Sequence, residues 1–158
     1  MEQGGKTANR TGRGLELQIK TVLLHRGYFE LTAVQKKALS RSGDILHTGS
    51  KWFTTQVQLE KNIYGSRCKS DFYAYDSIKY PDGIHIEAKW QSSSGSVDEK
   101  YVFTAESLNL FDGLKIIVLD GGGARQGAVR WLRKFASSKK NFKFFTLSEF
   151  MTWANKSL

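Results

Sequence analysis

The sequence predicts an α/β domain in which a mixed β-sheet is flanked by helices on both faces, in the order αβββ(α)βαβα. Apolar residues recur at helical spacing near both ends, alternate with polar residues in the middle, and then form a strand-turn-helix unit. A length of 158 residues suits one hydrophobic core and is short for two. With 40% apolar residues and one proline, the composition excludes a disordered or collagen-like chain.

The chain is predicted to begin with a flexible basic arm. Residues 1–13 combine glycines and charges without apolar periodicity, so we expect them to precede a single domain at 14–158. From Gly14 the apolar residues recur at helical spacing, and Gly27 supplies a stop signal. A first helix is therefore predicted between these two glycines.

The middle of the chain has the two-residue period of β-strands. A short helix at 33–39 and a turn-like stretch at 40–50 precede it. Three strands are predicted, at 51–59, 68–75 and 84–90. The last two flank Asp76 to Gly83, where Pro-Asp-Gly is typical of a turn, so they should form an antiparallel hairpin.

The last third alternates helices and strands behind a polar loop. The predicted elements are a loop at 91–100, a helix at 105–111, a strand at 114–119, a helix at 124–135, a strand at 142–146 and a closing helix with Ser148 as its N-cap. Three glycines at 121–123 lack the spacing of a phosphate-binding loop. We therefore read them as a turn and expect no nucleotide cofactor.

The charge balance predicts a polyanionic partner. With 24 Lys and Arg against 15 Asp and Glu, the net charge is 24 − 15 = +9, and the sequence pI is about 9.7. Nucleic acid suits such an excess best, because each cation near a phosphate releases a condensed counterion. An anionic membrane surface is the weaker alternative, since no long basic amphipathic helix is evident. The charge could also serve solubility alone.

The cysteine content and the length of the apolar runs indicate the cellular compartment. Cys68 is the single cysteine, which excludes an internal disulfide and a cysteine-based zinc cluster and favours a reducing cytoplasm. The apolar runs are far too short to cross a bilayer. A soluble protein is therefore expected.

The stretch Gly83 to Gln91, GIHIEAKWQ, carries the chemistry. On an extended strand Glu87, Lys89 and Gln91 share one face, with apolar residues opposite. The hairpin partner supplies Asp71, so two carboxylates can meet across the ladder. Facing carboxylates repel unless a cation lies between them, and Mg²⁺ prefers oxygen ligands of this kind.

These residues resemble the signature of the PD-(D/E)xK nuclease superfamily. Asp71 is followed after fifteen residues by Glu87-Ala88-Lys89, although Ser70 stands where the signature has proline. The resemblance covers most of the chain after Gly14 and implies a restriction-endonuclease-like fold. The loop Gly95 to Lys100 further resembles small nucleases of phage and bacterial origin, which implies the cytoplasm of a bacterium or phage-infected cell.

The resemblance also implies roles for individual residues. Asp71 and Glu87 would bind Mg²⁺, for which Mn²⁺ can substitute, and the carbonyl of Ala88 would complete the coordination. Lys89 would position or activate the attacking water. Glu16 resembles a glutamate that many members carry on the first helix, and Gln91 resembles a glutamine that some members place after the lysine.

The function implied is a divalent-metal-dependent endodeoxyribonuclease, whether of restriction, homing, junction-resolving or repair type. Cutting both strands usually needs two sites, so a homodimer or higher symmetric oligomer is expected, and a monomeric nickase stays open as the alternative. Candidate DNA contacts are Arg10, Arg13, Lys100, Arg125 and Arg130.

Several alternatives stay open from the sequence alone. Glu87 and Lys89 could be an ordinary exposed strand pair, and Glu16 could pair with Lys20 one helical turn on. The domain could be a basic DNA-binding module that has lost catalysis, or an assembly protein whose charge only neutralises nucleic acid. Magnesium-dependent cutting would separate these classes.

Overall fold

The computed structural model describes residues 3–42, 51–95 and 97–158, with side chains from Thr11 onward. Most of the turn predicted at 40–50 therefore lies outside the described residues. The described elements, in chain order, are α1 (Gln3–His25), β1 (Phe29–Glu30), α2 (Ala33–Ser42), β2 (Lys51–Lys61), β3 (Arg67–Asp76), β4 (Tyr80–Trp90), α3 (Asp98–Asn109), β5 (Leu114–Asp120), α4 (Gln126–Ser138), β6 (Phe142–Phe145) and α5 (Leu147–Ser157).

The strands form one six-stranded mixed sheet in the order β1-β2-β3-β4-β5-β6. Strands β2, β3 and β4 pair antiparallel, whereas β1 with β2, β4 with β5 and β5 with β6 are parallel. The predicted mixed sheet and the predicted hairpin are thus confirmed. The central β4 lies between an antiparallel and a parallel neighbour, which places its side chains deep in the domain.

Helices cover both faces of this sheet, as predicted. Strand alternation in β5 sends Ile116 and Val118 into one core and Ile117 and Leu119 into another. Helices α1 and α5 pack on the first core, and α3 and α4 pack on the second. A third, smaller core lies under α2. Burial on both faces explains why the β5 sequence is continuously apolar.

Helix α1 begins at Gln3, well before the predicted start at Gly14. The helix start predicted at Gly14 is therefore wrong. A helix held in place by buried Leu15, Ile19 and Leu23 extends by main-chain hydrogen bonds alone, so it needs no apolar stripe in its first turns. A division into an arm at 1–13 and a domain at 14–158 stays a prediction.

The β3–β4 turn is built by Asp76 and not by the Pro-Asp-Gly segment. Its Oδ1 accepts hydrogen bonds from the main-chain N–H groups of Ile78 (2.9 Å) and Lys79 (3.0 Å). Strand β4 then starts at Tyr80, so Pro81 to Gly83 lie within it. Gly83 has a φ of +82°, and a Cβ there would lie 2.3 Å from the hydroxyl of Tyr73. Glycine is thus required by close packing within the strand.

Two further boundaries differ from prediction. Helix α3 begins at Asp98, inside the loop expected at 91–100, and Asp98 and Glu99 lie in its first turn, where acidic side chains favour the helix dipole. The N-cap of α5 is Thr146 rather than Ser148, and it forms a reciprocal capping box with Glu149. Among the described helices, none combines the length and apolarity needed to span a membrane.

Candidate active site

The candidate site lies where β3 and β4 separate. Their pairing runs from the turn to Phe72 opposite Ile86, and the next residues along the strands are Asp71 and Glu87. Beyond that point, Asp71 Oδ2 accepts a hydrogen bond of 2.9 Å from the main-chain N–H of Ala88. A carboxylate therefore takes the place of a main-chain acceptor and is held against the Glu87-Ala88-Lys89 segment.

Lys89 joins the two carboxylates. Its Nζ lies 2.9 Å from Glu87 Oε2 and 3.6 Å from Asp71 Oδ2. The structure thus brings together the three residues predicted from the spacing, with one cation between two anions. The predicted alternative of an ordinary exposed strand pair does not fit Glu87, which is only 8% exposed.

Burial shifts the acid-base behaviour of this pair. Burial, with a smaller contribution from the negative charge of Asp71, raises the pKa of Glu87 to about 7 despite the nearby ammonium of Lys89. Burial alone would lower the pKa of Lys89, but the two carboxylates outweigh it and raise that pKa. The site is therefore short of positive charge, and an additional cation would favour the ionised form of Glu87.

Gln56 also contacts the site, and the sequence analysis did not identify it. Its Nε2 donates a 3.0 Å hydrogen bond to Asp71 Oδ1. Gln56 has a φ of +52°, in the left-handed region. Trp52 precedes it and Val57 follows it, and both enter the same core although regular alternation would place residues five positions apart on opposite faces of the strand. A local irregularity of β2 thus turns this amide towards Asp71, and a sequence pattern of period two does not reveal it.

His85 precedes Glu87 by two residues on β4, so the two side chains share a face of the strand. Its imidazole is neutral. Burial, together with the charge of Lys115, lowers its pKa to about 3. Its Nδ1 lies 2.7 Å from the hydroxyl oxygen of Ser70, and its ring packs between Tyr73 and Phe111. Ser70, the departure from the signature, therefore orders the strand beside Asp71 through this buried contact.

Glu16 lies close enough to the site for charge coupling. Burial raises the pKa of its carboxyl, and the charge of Asp71 raises it further, whereas Lys89 opposes the shift. Lys20, its predicted alternative partner, instead forms a 2.5 Å ion pair with Glu30 of β1. Helix α1 thus brings a third acidic group towards the carboxylate pair.

Gln91 is directed away from the carboxylates. Its side-chain oxygen accepts a hydrogen bond from the Tyr101 hydroxyl, and its Nε2 lies 3.1 Å from the carbonyl oxygen of Ser93 and 3.4 Å from Asp98 Oδ1. These contacts fix the start of α3 against the end of β4. A catalytic role for Gln91 stays a prediction, and the contacts it makes are those of a positioning residue.

The predicted DNA-contacting residues are spread over several surfaces. Arg13, Lys100 and Arg130 are exposed, on α1, α3 and α4 respectively. Arg125 is exposed as well, but its Nε lies 3.3 Å from Asp98 Oδ2. The side chain of Arg10 lies outside the described residues. Their contact with nucleic acid stays a prediction.

The donor set fits a divalent cation. Two carboxylates and a main-chain segment at Ala88 supply the oxygen ligands that Mg²⁺ prefers, and a cation there would offset the burial that raises the pKa of Glu87. Among the described residues, no group of three or more His, Cys, Asp or Glu side chains is placed to hold a metal ion. A metal here would therefore take its remaining ligands from water and substrate, as Mg²⁺ commonly does.

Comparison with known proteins supports the same assignment. The family described as the PD-(D/E)XK nuclease superfamily domain matches residues 7–158. Searches of curated proteins and of solved structures found no match to this chain. The family match includes α1, the β3–β4 hairpin and the three clustered residues, and members of this superfamily typically use divalent metals. The chain belongs to the PD-(D/E)XK nuclease superfamily.

Proposed function

We propose that this chain is a divalent-metal-dependent endonuclease that hydrolyses phosphodiester bonds of DNA. The observation that carries the proposal is the convergence of Asp71 and Glu87 on the ammonium of Lys89, at the end of the hairpin where main-chain pairing stops. A strand pair kept for structure alone would not place two carboxylates together in a largely buried position.

Each residue of the cluster has a separate task. Asp71 and Glu87, with the carbonyl of Ala88, would hold Mg²⁺ or Mn²⁺. Such a cation neutralises charge on the phosphate and makes a bound water a better nucleophile. Lys89 would stabilise the charge that develops as the water oxygen bonds to phosphorus and the bond to the leaving sugar oxygen breaks. Gln56 and the main-chain N–H of Ala88 keep Asp71 oriented for this task.

DNA as the substrate is supported by the charge of the chain. The net charge is +9 although the site itself is acidic, so cations around the site would hold the flanking phosphates. The proposed contacts are those of Arg10, Arg13, Lys100, Arg125 and Arg130. Cutting both strands would require two sites, so we expect a homodimer on DNA, and sedimentation of the protein with duplex DNA measures this.

A supercoiled plasmid tests the function directly. Incubation with Mg²⁺ should convert it to nicked or linear DNA, and the same incubation with EDTA should leave it intact. Binding without cutting, in the presence of either Mg²⁺ or Mn²⁺, would instead support the alternative of a catalytically inactive DNA-binding module. Lys89→Ala, which leaves both carboxylates in place, guards against a contaminating nuclease.

A further inference from the structure

We propose that the tip of the β2–β3 hairpin, residues 62–66, contacts unpaired bases of the nucleic-acid substrate through the ring of Tyr64. This inference rests on the proposed function, because the ligand is the substrate of the site at Asp71 and Glu87. It adds a preference for a kind of DNA structure, which neither the family nor the carboxylate cluster specifies.

The tip presents apolar surface to solvent. Tyr64 is 78% exposed and Ile63 is 43% exposed, although both are large hydrophobic residues. The ring of Tyr64 lies 5.4 Å from that of Phe103 on α3, and the neighbouring Val102 is 46% exposed. Tyr64 and Phe103 thus form a small aromatic patch beside the hairpin tip, next to exposed aliphatic side chains.

Hydrogen bonds fix the main chain of the tip. Asn62 Oδ1 accepts hydrogen bonds from the main-chain N–H groups of Tyr64 (2.9 Å) and Ser66 (3.1 Å). The Ile63 N–H lies 3.4 Å from the hydroxyl oxygen of Ser107, which ties the tip to α3. A turn fixed in this way loses little main-chain entropy when its exposed ring binds a flat partner.

The tip lies along the same strand as the candidate active site. Arg67, the first residue of β3, is four strand residues from Asp71, a distance of about 13 Å at the usual strand rise. A small cavity of about 90 Å³ is lined by Asn62 and Phe103 at one side and by Glu87 at another, so the tip and the site border the same space. Tyr64 lies three residues beyond Arg67, so at a rise of about 3.4 Å per nucleotide the tip is at least about four nucleotides from the bond to be cut.

Charge decides between nucleic acid and a second copy of the chain. Lys61, Arg67 and Lys69 flank the tip, are exposed, and have no ion-pair partner within the described part of the chain. A two-fold contact between two such tips would bring like charges together. A polyanion with aromatic bases satisfies both the cations and the exposed ring.

The chemistry of stacking points to unpaired bases. In a continuous duplex each base is already stacked on its neighbours, whereas at a junction, bubble or single-stranded end the face of a base is free to pack on an aromatic side chain. The exposed ring of Tyr64 therefore favours DNA with unpaired nucleotides at least about four positions from the scissile phosphate.

Binding measured by fluorescence anisotropy in EDTA tests this without catalysis. The probes are a labelled duplex and the same duplex with a short unpaired bubble. Tyr64→Ala should weaken binding to the bubble about tenfold and change duplex binding little, while Tyr64→Phe, which keeps the ring, should bind as the wild type does. Arg67→Ala should weaken both equally. Ile78→Ala is the matched control, since Ile78 is 83% exposed at the opposite end of β3.

The outcomes separate this inference from the proposed function. Unchanged bubble binding by Tyr64→Ala, or an equal loss on both probes, would overturn the base contact even if the wild type cuts plasmid with Mg²⁺. A wild-type dimer that Tyr64→Ala dissociates in sedimentation would show that the patch is a protein interface, which also overturns it. Failure of the wild type to bind either probe would overturn the base contact and leave the proposed function to the plasmid assay with Mg²⁺, whereas selective loss of bubble binding supports the tip even in a protein that does not cut.

Discussion

The two ends of the β3–β4 hairpin each hold a carboxylate next to a lysine, yet they treat the carboxylate in opposite ways. At the turn, the side chain of Asp76 is 1% exposed and receives main-chain N–H donors, and its Oδ2 lies 3.6 Å from Lys51 Nζ. Burial alone would raise the pKa of Asp76, but these donors and Lys51 outweigh it and lower that pKa. The turn therefore stabilises the charged form of Asp76.

At the other end of the hairpin, the open end where β3 and β4 separate, burial outweighs the nearby positive charge. Glu87 faces a second carboxylate and shares Lys89 with it, so burial dominates and the pKa rises to about 7. The same strand pair thus carries one carboxylate whose charged form the fold favours and one whose ionisation burial opposes. A buried carboxylate that the fold does not supply with enough donors or positive charge to stay ionised is therefore a candidate functional residue.

The largest expected effect is on catalysis at the open end. Asp71→Asn or Glu87→Gln should lower DNA cleavage about 1,000-fold, because each removes a charge that would hold the metal. DNA affinity in EDTA should be kept or should rise, since a negative charge near the phosphate has gone. Plasmid cleavage and a gel shift, run in parallel, measure both.

Asp76→Asn is the matched control for that experiment, as it neutralises a buried carboxylate of the same hairpin outside the site. It should cut DNA like the wild type at a temperature where it is folded. Full activity in Asp71→Asn, or equal losses in the variants from both ends, would remove the functional distinction between them.

Lys89→Ala should lower the cleavage rate about 100-fold, the usual effect of losing a positioned charge-stabilising group. Single-turnover cleavage in saturating Mn²⁺ measures the chemical step, and titration calorimetry with Mn²⁺ measures metal binding. A normal rate in saturating Mn²⁺ together with lost metal binding would show that Lys89 organises the carboxylates and takes no part in the reaction.

At the turn, stability should change instead of activity. Asp76→Ala should lower the free energy of unfolding by about 2 kcal/mol, because it leaves the N–H groups of Ile78 and Lys79 without an acceptor. Denaturant unfolding monitored by circular dichroism measures this. A change below 0.5 kcal/mol, on the order expected for an ordinary surface substitution, would mean that the turn does not depend on Asp76.

The contribution of Asp76 should also depend on pH. Its folded pKa lies below the ordinary value of 3.8, so its charge stabilises the fold fully above that value and loses this effect as the pH falls through the folded pKa. The difference in unfolding free energy between the wild type and Asp76→Asn should therefore shrink below about pH 4. A constant difference down to pH 2 would contradict the lowered pKa.

A smaller effect is expected for surface cations, where an arginine with an ion-pair partner should contribute less to the salt dependence of DNA affinity than one without. Arg13→Ala should reduce the slope of log affinity against log salt by about 0.9, the amount for one phosphate contact. Arg125→Ala should reduce it less, because Arg125 already lies 3.3 Å from Asp98. Equal slopes for wild type and Arg13→Ala would show that Arg13 does not contact DNA.

The sequence predicted the fold class and the central cluster because both depend on short-range periodicity. Residues two apart on a strand share a face wherever the strand lies, so Glu87 and Lys89 could be placed together from spacing alone. The predicted hairpin then placed Asp71 opposite Glu87 on the neighbouring strand. Helix α3 was predicted to start too late because acidic residues in a first turn resemble a polar loop.

What the sequence did not reveal depends on three-dimensional contacts. Gln56 reaches Asp71 through an irregularity of β2. Gln91 lines up with Glu87 by alternation, yet its amide is drawn to Tyr101 and Asp98, which no period predicts. The turn residue was misplaced because Pro-Asp-Gly has stronger local turn preference than Asp76, and packing against Tyr73 placed it in the strand.

A crystal of the wild-type protein soaked in Mn²⁺ tests the central claim most directly, since the anomalous signal locates the metal without reference to activity. The account predicts a peak between the carboxylates of Asp71 and Glu87, with oxygen ligands at about 2.0–2.2 Å and Lys89 displaced from their midpoint. No peak at that position, or a peak only at other acidic groups such as Asp76, would contradict the assignment of this cluster as the metal-binding active site.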